Sequence, residues 1–187
     1  MTKRALLSRI FMYLIVFLLL GVLGFPLIMF SESKQGKVVM DEEISLPFII
    51  EKNKKVVLIY FGYLGCQTIC TPSLKEIAEI YKEVDKADDV VFYFIDISKE
   101  SGDLDAFVHY FHQDFRGLHL SHESRQTLMK DLRAYSSDSL RGDGEMSHTG
   151  YLYLIGQEQK KFSLRAMYFT RPFDIKSIVK DIKKELK

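Results

Sequence analysis

The side chains best suited to chemistry in this sequence are its two cysteines, which close the five-residue segment Cys66–Cys70, CQTIC. A buried strand is predicted before this segment and a helix after it. A helix N-terminus offers free N–H groups and positive partial charge, which stabilise a thiolate. Two thiols at this spacing can form a disulfide if the first lies in a turn, and as thiolates they can hold Cu(I) or Zn²⁺. A purely structural disulfide is the weaker alternative, because so small a loop constrains little unfolded-chain entropy.

The cysteine spacing is C-x-x-x-C, whereas thioredoxin-type oxidoreductases use C-x-x-C. The additional residue loosens the ring and leaves room for a metal ion between the sulfurs. A third ligand would complete a trigonal site, and we choose His148, which stands directly before a predicted core strand. There a sheet edge could present it to the cysteine loop. The alternative is that His148 is a loop histidine without a partner.

The other four histidines form H-x-x-H twice within fourteen residues: His109, His112, His119 and His122. The first two could share a helix face, as zinc ligands do. They lack the adjacent glutamate of the metalloprotease arrangement, and the residues between them are mainly apolar. A surface helix without metal is therefore the favoured interpretation.

The first half of the chain predicts two buried strands and two helices around the cysteines. Val56–Phe61 is a continuous apolar run typical of a strand covered on both faces, and Val90–Ile95 is a second such run that ends at Asp96. Pro72 can open a helix between them. Asp103 can cap the next helix, with apolar residues on one face.

The second half predicts helix, loop, hairpin and helix. A helix is expected from near Glu123 to Tyr135, with Tyr135 inward, and Ser136–Glu145 has the composition of a loop. Tyr151–Ile155 and Leu164–Phe169 read as an antiparallel hairpin around a polar turn at Gly156–Lys160. Pro172 then opens a final amphipathic helix. This element order is that of an α/β thioredoxin-like sandwich, a central mixed sheet flanked by helices.

The N-terminus predicts one transmembrane helix. Residues 10–30 are twenty-one residues without a charge, and a helix of that length spans roughly 30 Å, the thickness of a bilayer core. Lys3, Arg4 and Arg9 precede it without an acid, so this flank should stay cytoplasmic and the rest lie outside. A cleaved signal peptide and a buried core helix are the alternatives. We therefore predict residues 1–30 as leader and anchor, 31–53 as linker with a first extended segment, and 54–187 as the thioredoxin-like domain.

Composition narrows the classes of function. The 187 residues suit one domain of ordinary size, and 47% hydrophobic residues exclude a disordered chain. Two cysteines are too few for a multi-disulfide scaffold. A formal net charge of +1 gives no reason to expect nucleic acid as a partner. Outside the cytoplasm, the cysteines would meet oxidants and could form a disulfide.

Together these motifs resemble the Sco/SenC copper-chaperone family. The resemblance rests on YFGY at 60–63, C-x-x-x-C, a strand ending in Asp96, and His148-Thr149 before a core strand. It implies a thioredoxin-like fold and copper bound by Cys66, Cys70 and His148. It also implies a role in maturing the binuclear copper site of cytochrome c oxidase, as copper donor, as reductant of its cysteines, or both. The short basic leader favours a bacterial plasma membrane over a mitochondrial one.

The sequence departs from the family pattern around these residues. Gln67 and Thr71 replace the prolines of the usual C-P-x-x-C-P, and Ser147 stands where an aspartate commonly precedes the histidine. After the second strand, Asp96 and Glu100 are the acids that remain of the usual D-P-E-R-D.

Two functions stay open at this point. A metallochaperone would hold Cu(I) and pass it by ligand exchange to an acceptor protein. A thiol–disulfide oxidoreductase would use Cys66 to attack a partner's disulfide and Cys70 to resolve the mixed disulfide. His148 separates the two functions, because copper needs a third ligand and simple exchange does not.

Overall fold

The computed structural model describes residues 12–18, 36–51, 53–84, 87–98, 102–138, 146–159 and 161–187. The chain divides into two compact units, Met1–Gly36 and Lys37–Lys187. In the first unit, residues 12–18 form a helix, α1, with exposed side chains. Within the described residues no helix is long and apolar enough to cross a membrane. Most of the segment 10–30, where the sequence predicts a transmembrane helix, lies outside the described residues.

The second unit is built on a mixed six-stranded sheet in the order β1-β8-β7-β2-β3-β4. Its strands are β1 (Lys37–Ile44), β2 (Val56–Gly62), β3 (Val90–Asp96), β4 (Phe115–Leu118), β7 (Leu152–Glu158) and β8 (Lys161–Tyr168). The pairs β2–β3 and β3–β4 are parallel, whereas β2–β7, β7–β8 and β1–β8 are antiparallel. A separate two-stranded sheet pairs β5 (Ser136–Asp138) with β6 (Met146–His148).

Four helices accompany the sheet: α2 (Cys70–Glu83), α3 (Leu104–His109), α4 (His122–Asp131) and α5 (Ile175–Glu185). A short 3₁₀ helix, Ala87–Asp89, precedes β3. Helices α2 and α5 pack against each other, and α3 packs against β3 and β4. Every residue of β2 and β3 is buried, which confirms the two covered strands that the apolar runs predict. The predicted mixed sheet with flanking helices is confirmed.

Side-chain caps explain where α3 and α5 begin, whereas α2 has no side-chain cap. Helix α2 begins at Cys70, two residues before Pro72. The Asp103 carboxylate accepts from Ala106 N at 2.9 Å, so the predicted cap of α3 is confirmed. Helix α5 begins at Ile175 rather than at Pro172, because the side chain of Asp174 accepts from the backbone of Ser177.

Two expectations for the region after α3 are wrong. Helix α4 ends at Asp131, and Tyr135 is exposed rather than inward. Ala134 N donates to Met129 O at 2.7 Å and Arg133 has φ 54°, a Schellman-type ending that usually carries glycine. Residues 136–138 form strand β5 instead of loop, and residues 139–145 lie outside the described residues.

The sheet also extends further than the sequence pattern predicts. Strand β1 lies within residues 31–53, which were predicted as a linker with a first extended segment, and the compact unit begins at Lys37. The hairpin β7–β8 is antiparallel as predicted. Strand β7 runs to Glu158, so Gly156, Gln157 and Glu158, which were predicted as part of the turn, are paired strand residues.

The last residue of β2, Gly62, decides how closely the next helix approaches the sheet. A Cβ at this position would stand 2.7 Å from Cys70 Sγ and 2.7 Å from the Phe94 ring. Real side chains do not tolerate such separations, so a larger residue would displace either the sulfur or the ring. Gly62 therefore seats Cys70 directly on the sheet.

We expect Gly62→Ala to lower the free energy of unfolding by about 1–3 kcal/mol, the usual range for overpacking a core. Urea denaturation followed by circular dichroism measures the change. Val39→Ala is the control, because Val39 is an exposed strand residue on β1 and should change stability by less than about 0.5 kcal/mol. Equal stabilities for Gly62→Ala and the wild type would show that Cys70 is not held against the strand.

Candidate metal centre

The antiparallel pairing of β7 with β2 brings the two candidate ligand segments together. Tyr60 lies opposite Leu152 in the register, so the end of β2 and the start of β7 meet at one edge of the sheet. The chain leaves β2 into the turn that carries Cys66, and α2 begins at Cys70. His148 ends β6, four residues before β7 begins.

The three side chains meet at short range. His148 Nε2 lies 3.7 Å from Cys66 Sγ and 3.7 Å from Cys70 Sγ. The three potential ligand atoms lie within 4.8 Å of one another, and they form the one such cluster found among the described residues. Both cysteines are buried and unbonded to each other, whereas His148 is half-buried. The grouping chosen from the sequence is thus brought together by the fold.

Contacts around His148 orient its ring. Nδ1 lies 3.2 Å from Thr149 O, a carbonyl that can accept from Nδ1–H, and Nε2 faces the two sulfurs. With Nδ1–H held by this carbonyl, Nε2 is the ring nitrogen that would bind a metal ion. Thr149 is held in turn by Tyr135, through Thr149 N to Tyr135 O at 3.0 Å and Tyr135 N to Thr149 Oγ1 at 3.2 Å. The ring of Tyr63 packs edge-on against the imidazole at 5.8 Å.

The two thiols are electrostatically unequal. A hydrogen bond from the Cys70 thiol is the largest cause that lowers the pKa of Cys66 to about 3, and His148 and the backbone N–H groups of Cys70 and Ile69 add to it against the opposing effect of burial. Cys70 N lies 3.4 Å from Cys66 Sγ. The pKa of Cys70 is raised by its hydrogen bond to Cys66, by burial and by the charge on Cys66. The reduced site therefore holds one thiolate and one thiol at neutral pH.

Of the four remaining histidines, His112 and His119 contact residues outside this cluster. The His112 ring packs beside Tyr81, at 5.0 Å. His119 Nδ1 lies 3.1 Å from the buried Asp96 carboxylate. In the part of the chain that the structure describes, His109, His112, His119 and His122 join no group of three potential metal ligands.

Two residues near the cysteines have no signal in the sequence that would assign them to the site. The sequence pattern indicates Tyr60 only as a core residue of β2, yet its hydroxyl donates to Ser73 Oγ of α2 at 3.3 Å and opposes the rise in the pKa of the Cys70 thiol. Arg171 reads as a polar residue after β8, yet its guanidinium lies 3.0 Å from the Tyr60 hydroxyl. Only the packing of distant segments reveals them.

Comparison with known proteins gives a family match over most of the chain. The family model described as SCO1/SenC matches residues 51–187. The protein SCO2 homolog, mitochondrial, of Danio rerio is 28% identical over 140 residues, which cover 70% of this chain and 49% of that protein. The protein SCO1 homolog, mitochondrial, of Homo sapiens is 28% identical over 111 residues, 54% of this chain and 37% of that protein. The chain thus spans half or less of the length of these relatives.

Solved structures share the fold. Arabidopsis thaliana ScoI with copper bound has a TM-score of 0.61 at 22% identity, covering 80% of this chain and 98% of that one. A SCO1/SenC family lipoprotein from Bacillus anthracis has a TM-score of 0.60 at 19% identity, covering 81% and 96%. Bradyrhizobium japonicum ScoI with copper bound has a TM-score of 0.58 at 23% identity, covering 79% and 99%. These neighbours confirm the predicted thioredoxin-like fold.

The depressed pKa of Cys66 predicts a thiolate that persists in acid. With the protein reduced, we expect the ultraviolet absorbance of one thiolate to remain from neutral pH down to about pH 5 and to be lost only as the pH falls toward about 3. Cys66→Ser should remove this absorbance, and the wild type unfolded in urea should show none below about pH 7. Loss of the absorbance between about pH 9 and 7 in the folded protein would contradict the assignment.

Proposed function

The chain belongs to the SCO1/SenC family, and on that premise we propose that it is a copper-binding assembly chaperone that holds Cu(I) through Cys66, Cys70 and His148. The observation that carries the proposal is the convergence of two sulfurs and one imidazole nitrogen within 4.8 Å. In this function copper is cargo: the chain would bind the ion and then transfer it to an acceptor protein.

The donor set fits Cu(I). Thiolate sulfur is a soft ligand that favours Cu(I), and imidazole also suits copper. Nε2 of His148 already faces both sulfurs, so little rearrangement is needed. Cys66 supplies a thiolate in advance, and Cys70 must release its proton when the metal binds. The buried sulfurs keep water away from the ion.

Release by ligand exchange follows from the same chemistry. An acceptor thiolate can replace one ligand at a time, so copper need not pass free through water. We propose as acceptor the copper-bearing subunit of cytochrome c oxidase or another copper or thiol acceptor protein. The similarity to BsSco, described as a member of the Sco family of cytochrome c oxidase assembly proteins with a disulfide switch, supports this choice of acceptor. Oxidation of Cys66 and Cys70 to a disulfide would consume both thiolates and abolish the site.

The proposed location is the extracytoplasmic side of a bacterial plasma membrane. The uncharged segment 10–30, preceded by Lys3, Arg4 and Arg9, supports a single-pass anchor with a cytoplasmic N-terminus. The anchored domain would then face the compartment in which cysteines cycle between thiol and disulfide.

The second candidate function is thiol–disulfide exchange, and the thiolate of Cys66 is the observation that favours it. Cys66 would attack a disulfide of the partner and form a mixed disulfide. Cys70 would then attack Cys66, releasing the partner as a dithiol and leaving the Cys66–Cys70 disulfide. Each turnover consumes the two electrons of the cysteine pair, so a further thiol reductant must restore it.

Copper binding by histidine variants separates the two functions. We expect the reduced full chain to bind one Cu(I), and His148→Ala to weaken its affinity by roughly a hundredfold or more, since loss of even an outer-shell partner costs 10–100-fold. Competition with a Cu(I) chelator measures the affinity. Thiol–disulfide exchange, followed with a small disulfide substrate, should persist in the same variant.

His109→Ala is the matched control, because His109 is exposed and belongs to no metal-ligand cluster among the described residues. It should bind copper as the wild type does. Failure of the reduced wild type to retain copper, with rapid exchange, would move the assignment to the oxidoreductase. Equal loss of binding and exchange in His148→Ala would make this residue merely structural.

The anchor is tested by fractionation. We expect the full chain to stay with the membrane after alkaline carbonate extraction. Replacing Leu19 and Val22 together by arginine should release it, because each charge costs about 2.5–3.5 kcal/mol at the centre of a spanning helix. Arginines at Ser31 and Ser33, outside the apolar segment, provide the control. Release of the unmodified chain would exclude an anchor.

A further inference from the structure

The outer face of helix α5 carries a row of lysines. Ile178, Val179 and Ile182 are the buried residues of the helix. Four lysines in α5 and at its C-terminal end are exposed: Lys176, Lys180, Lys184 and Lys187. They follow one another at intervals of four, four and three residues, so they form one stripe about 17 Å long. We call these four residues the α5 lysine stripe.

Acidic residues of the same helix are turned toward the sheet and paired there. Asp181 Oδ2 accepts from Lys37 Nζ at 2.9 Å, and Glu185 Oε2 lies 3.1 Å from Arg165 Nε. Glu83 of α2 borders the hollow beside the stripe. None of the four stripe lysines forms an ion pair with another described residue. The stripe is therefore a surface of positive charge without compensation by the chain's own acids.

The short connection to the proposed anchor places this helix near a membrane. Lys37 is the first residue of β1, and its Nζ lies 2.9 Å from Asp181 Oδ2 and 3.5 Å from Ser177 Oγ of α5. Only residues 31–36 separate Lys37 from the uncharged segment 10–30, and a chain of that length spans at most about 25 Å. A domain of roughly 150 residues has a radius of gyration of about 15 Å and hence a diameter of about 40 Å. Because the connection is shorter than the domain, the start of β1 and the adjacent helix α5 stay close to the bilayer surface.

Lysine side chains suit a diffuse negative surface. Their ammonium groups are point charges on flexible stems, whereas planar recognition of a single carboxylate or phosphate favours arginine, and α5 contains none. Each basic side chain near an anionic lipid surface favours binding by about fivefold, and the attraction decays within a Debye length of about 8–10 Å. Three of the 26 basic residues and none of the 25 acidic ones precede residue 31. The remainder of the chain is thus not basic overall, and only a local patch can attract such a surface.

We propose that the α5 lysine stripe docks the domain onto the anionic headgroups of the membrane in which the chain is anchored. This inference rests on the proposed anchor and goes beyond it, because an anchor alone leaves the domain free to turn. One row of paired residues crosses β1, β8, β7 and β2: Lys37, Tyr168, Leu152 and Tyr60. The connection to the anchor therefore leaves the sheet at the edge that carries the candidate metal centre. Docking through α5 would hold this edge beside the membrane, within reach of a membrane-bound acceptor.

The test compares the full chain in two kinds of lipid nanodisc, with one chain per disc. One kind contains phosphatidylcholine alone, and the other contains phosphatidylcholine and phosphatidylglycerol in equal parts. Acetylation of exposed amines is measured lysine by lysine by mass spectrometry. We expect the stripe lysines to react about threefold to tenfold more slowly in the anionic discs at low salt. The difference should vanish at about 0.5 M salt, where screening shortens the Debye length, and Lys130, exposed on α4, should react equally in both discs.

Variants of the stripe separate docking from mere proximity to lipid. Lys176→Gln, Lys180→Gln and Lys184→Gln together should remove most of the protection of Lys187, which remains as the reporter. The matched control replaces by glutamine three lysines that are exposed on other parts of the domain: Lys55, Lys130 and Lys161. It removes the same charge and should leave Lys187 protected. Both triple variants should bind Cu(I) as the wild type does, which also reports that they fold.

Several outcomes would overturn the inference. Equal reactivity of the stripe in the two kinds of disc would do so, as would protection of Lys187 that survives the stripe variant or is lost in the control. Protection that requires two chains per disc would assign the stripe to a second copy of the chain instead. A chain that does not enter the discs would refute the anchor and this inference together. A chain that enters them with an unprotected stripe would refute docking alone and leave the anchor and copper binding standing.

Discussion

The antiparallel pairing of β7 with β2 is the interaction on which the site depends. Because β2 runs toward the cysteine loop and β7 runs away from the histidine segment, their pairing places His148 beside Cys66 although the two are 82 positions apart in the chain. Parallel pairing would send the start of β7 to the opposite edge of the sheet. The register also matters, since a slip by one residue would turn every side chain of β7 to the other face.

Burial and hydrogen bonding then determine which of the two cysteines is ionised. Gly62 lets the Cys70 sulfur lie against the sheet, where its hydrogen bond to Cys66, burial and the charge on Cys66 raise its pKa. Cys66 lies in the preceding turn and receives hydrogen bonds from Cys70, His148 and the start of α2. In the reduced pair, Cys66 is thus a stable thiolate and Cys70 remains a thiol. Such a pair suits both metal capture, in which the second proton leaves on binding, and exchange, in which the thiolate attacks first.

Much of the architecture could be predicted from local pattern. The apolar runs of β2 and β3 indicate buried strands in any context, and Asp103 offers a cap that depends only on its own helix. The end of α4 could not be predicted in this way. Its Schellman-type turn places Arg133 at positive φ without the glycine that signals such an ending, and β5 exists only because residues 146–148 return to pair with it.

The sequence by itself determined the ligand types, the cysteine spacing and the family resemblance, because these depend on residue identity and short-range order. It also marked His148 as a candidate through its place before a core strand. Only the tertiary structure brings the imidazole to both sulfurs and lowers the pKa of Cys66 rather than that of Cys70. It also places Tyr60 and Arg171 near the cysteines. These properties arise from distance, burial and hydrogen bonding between segments far apart in the chain, and no local pattern encodes them.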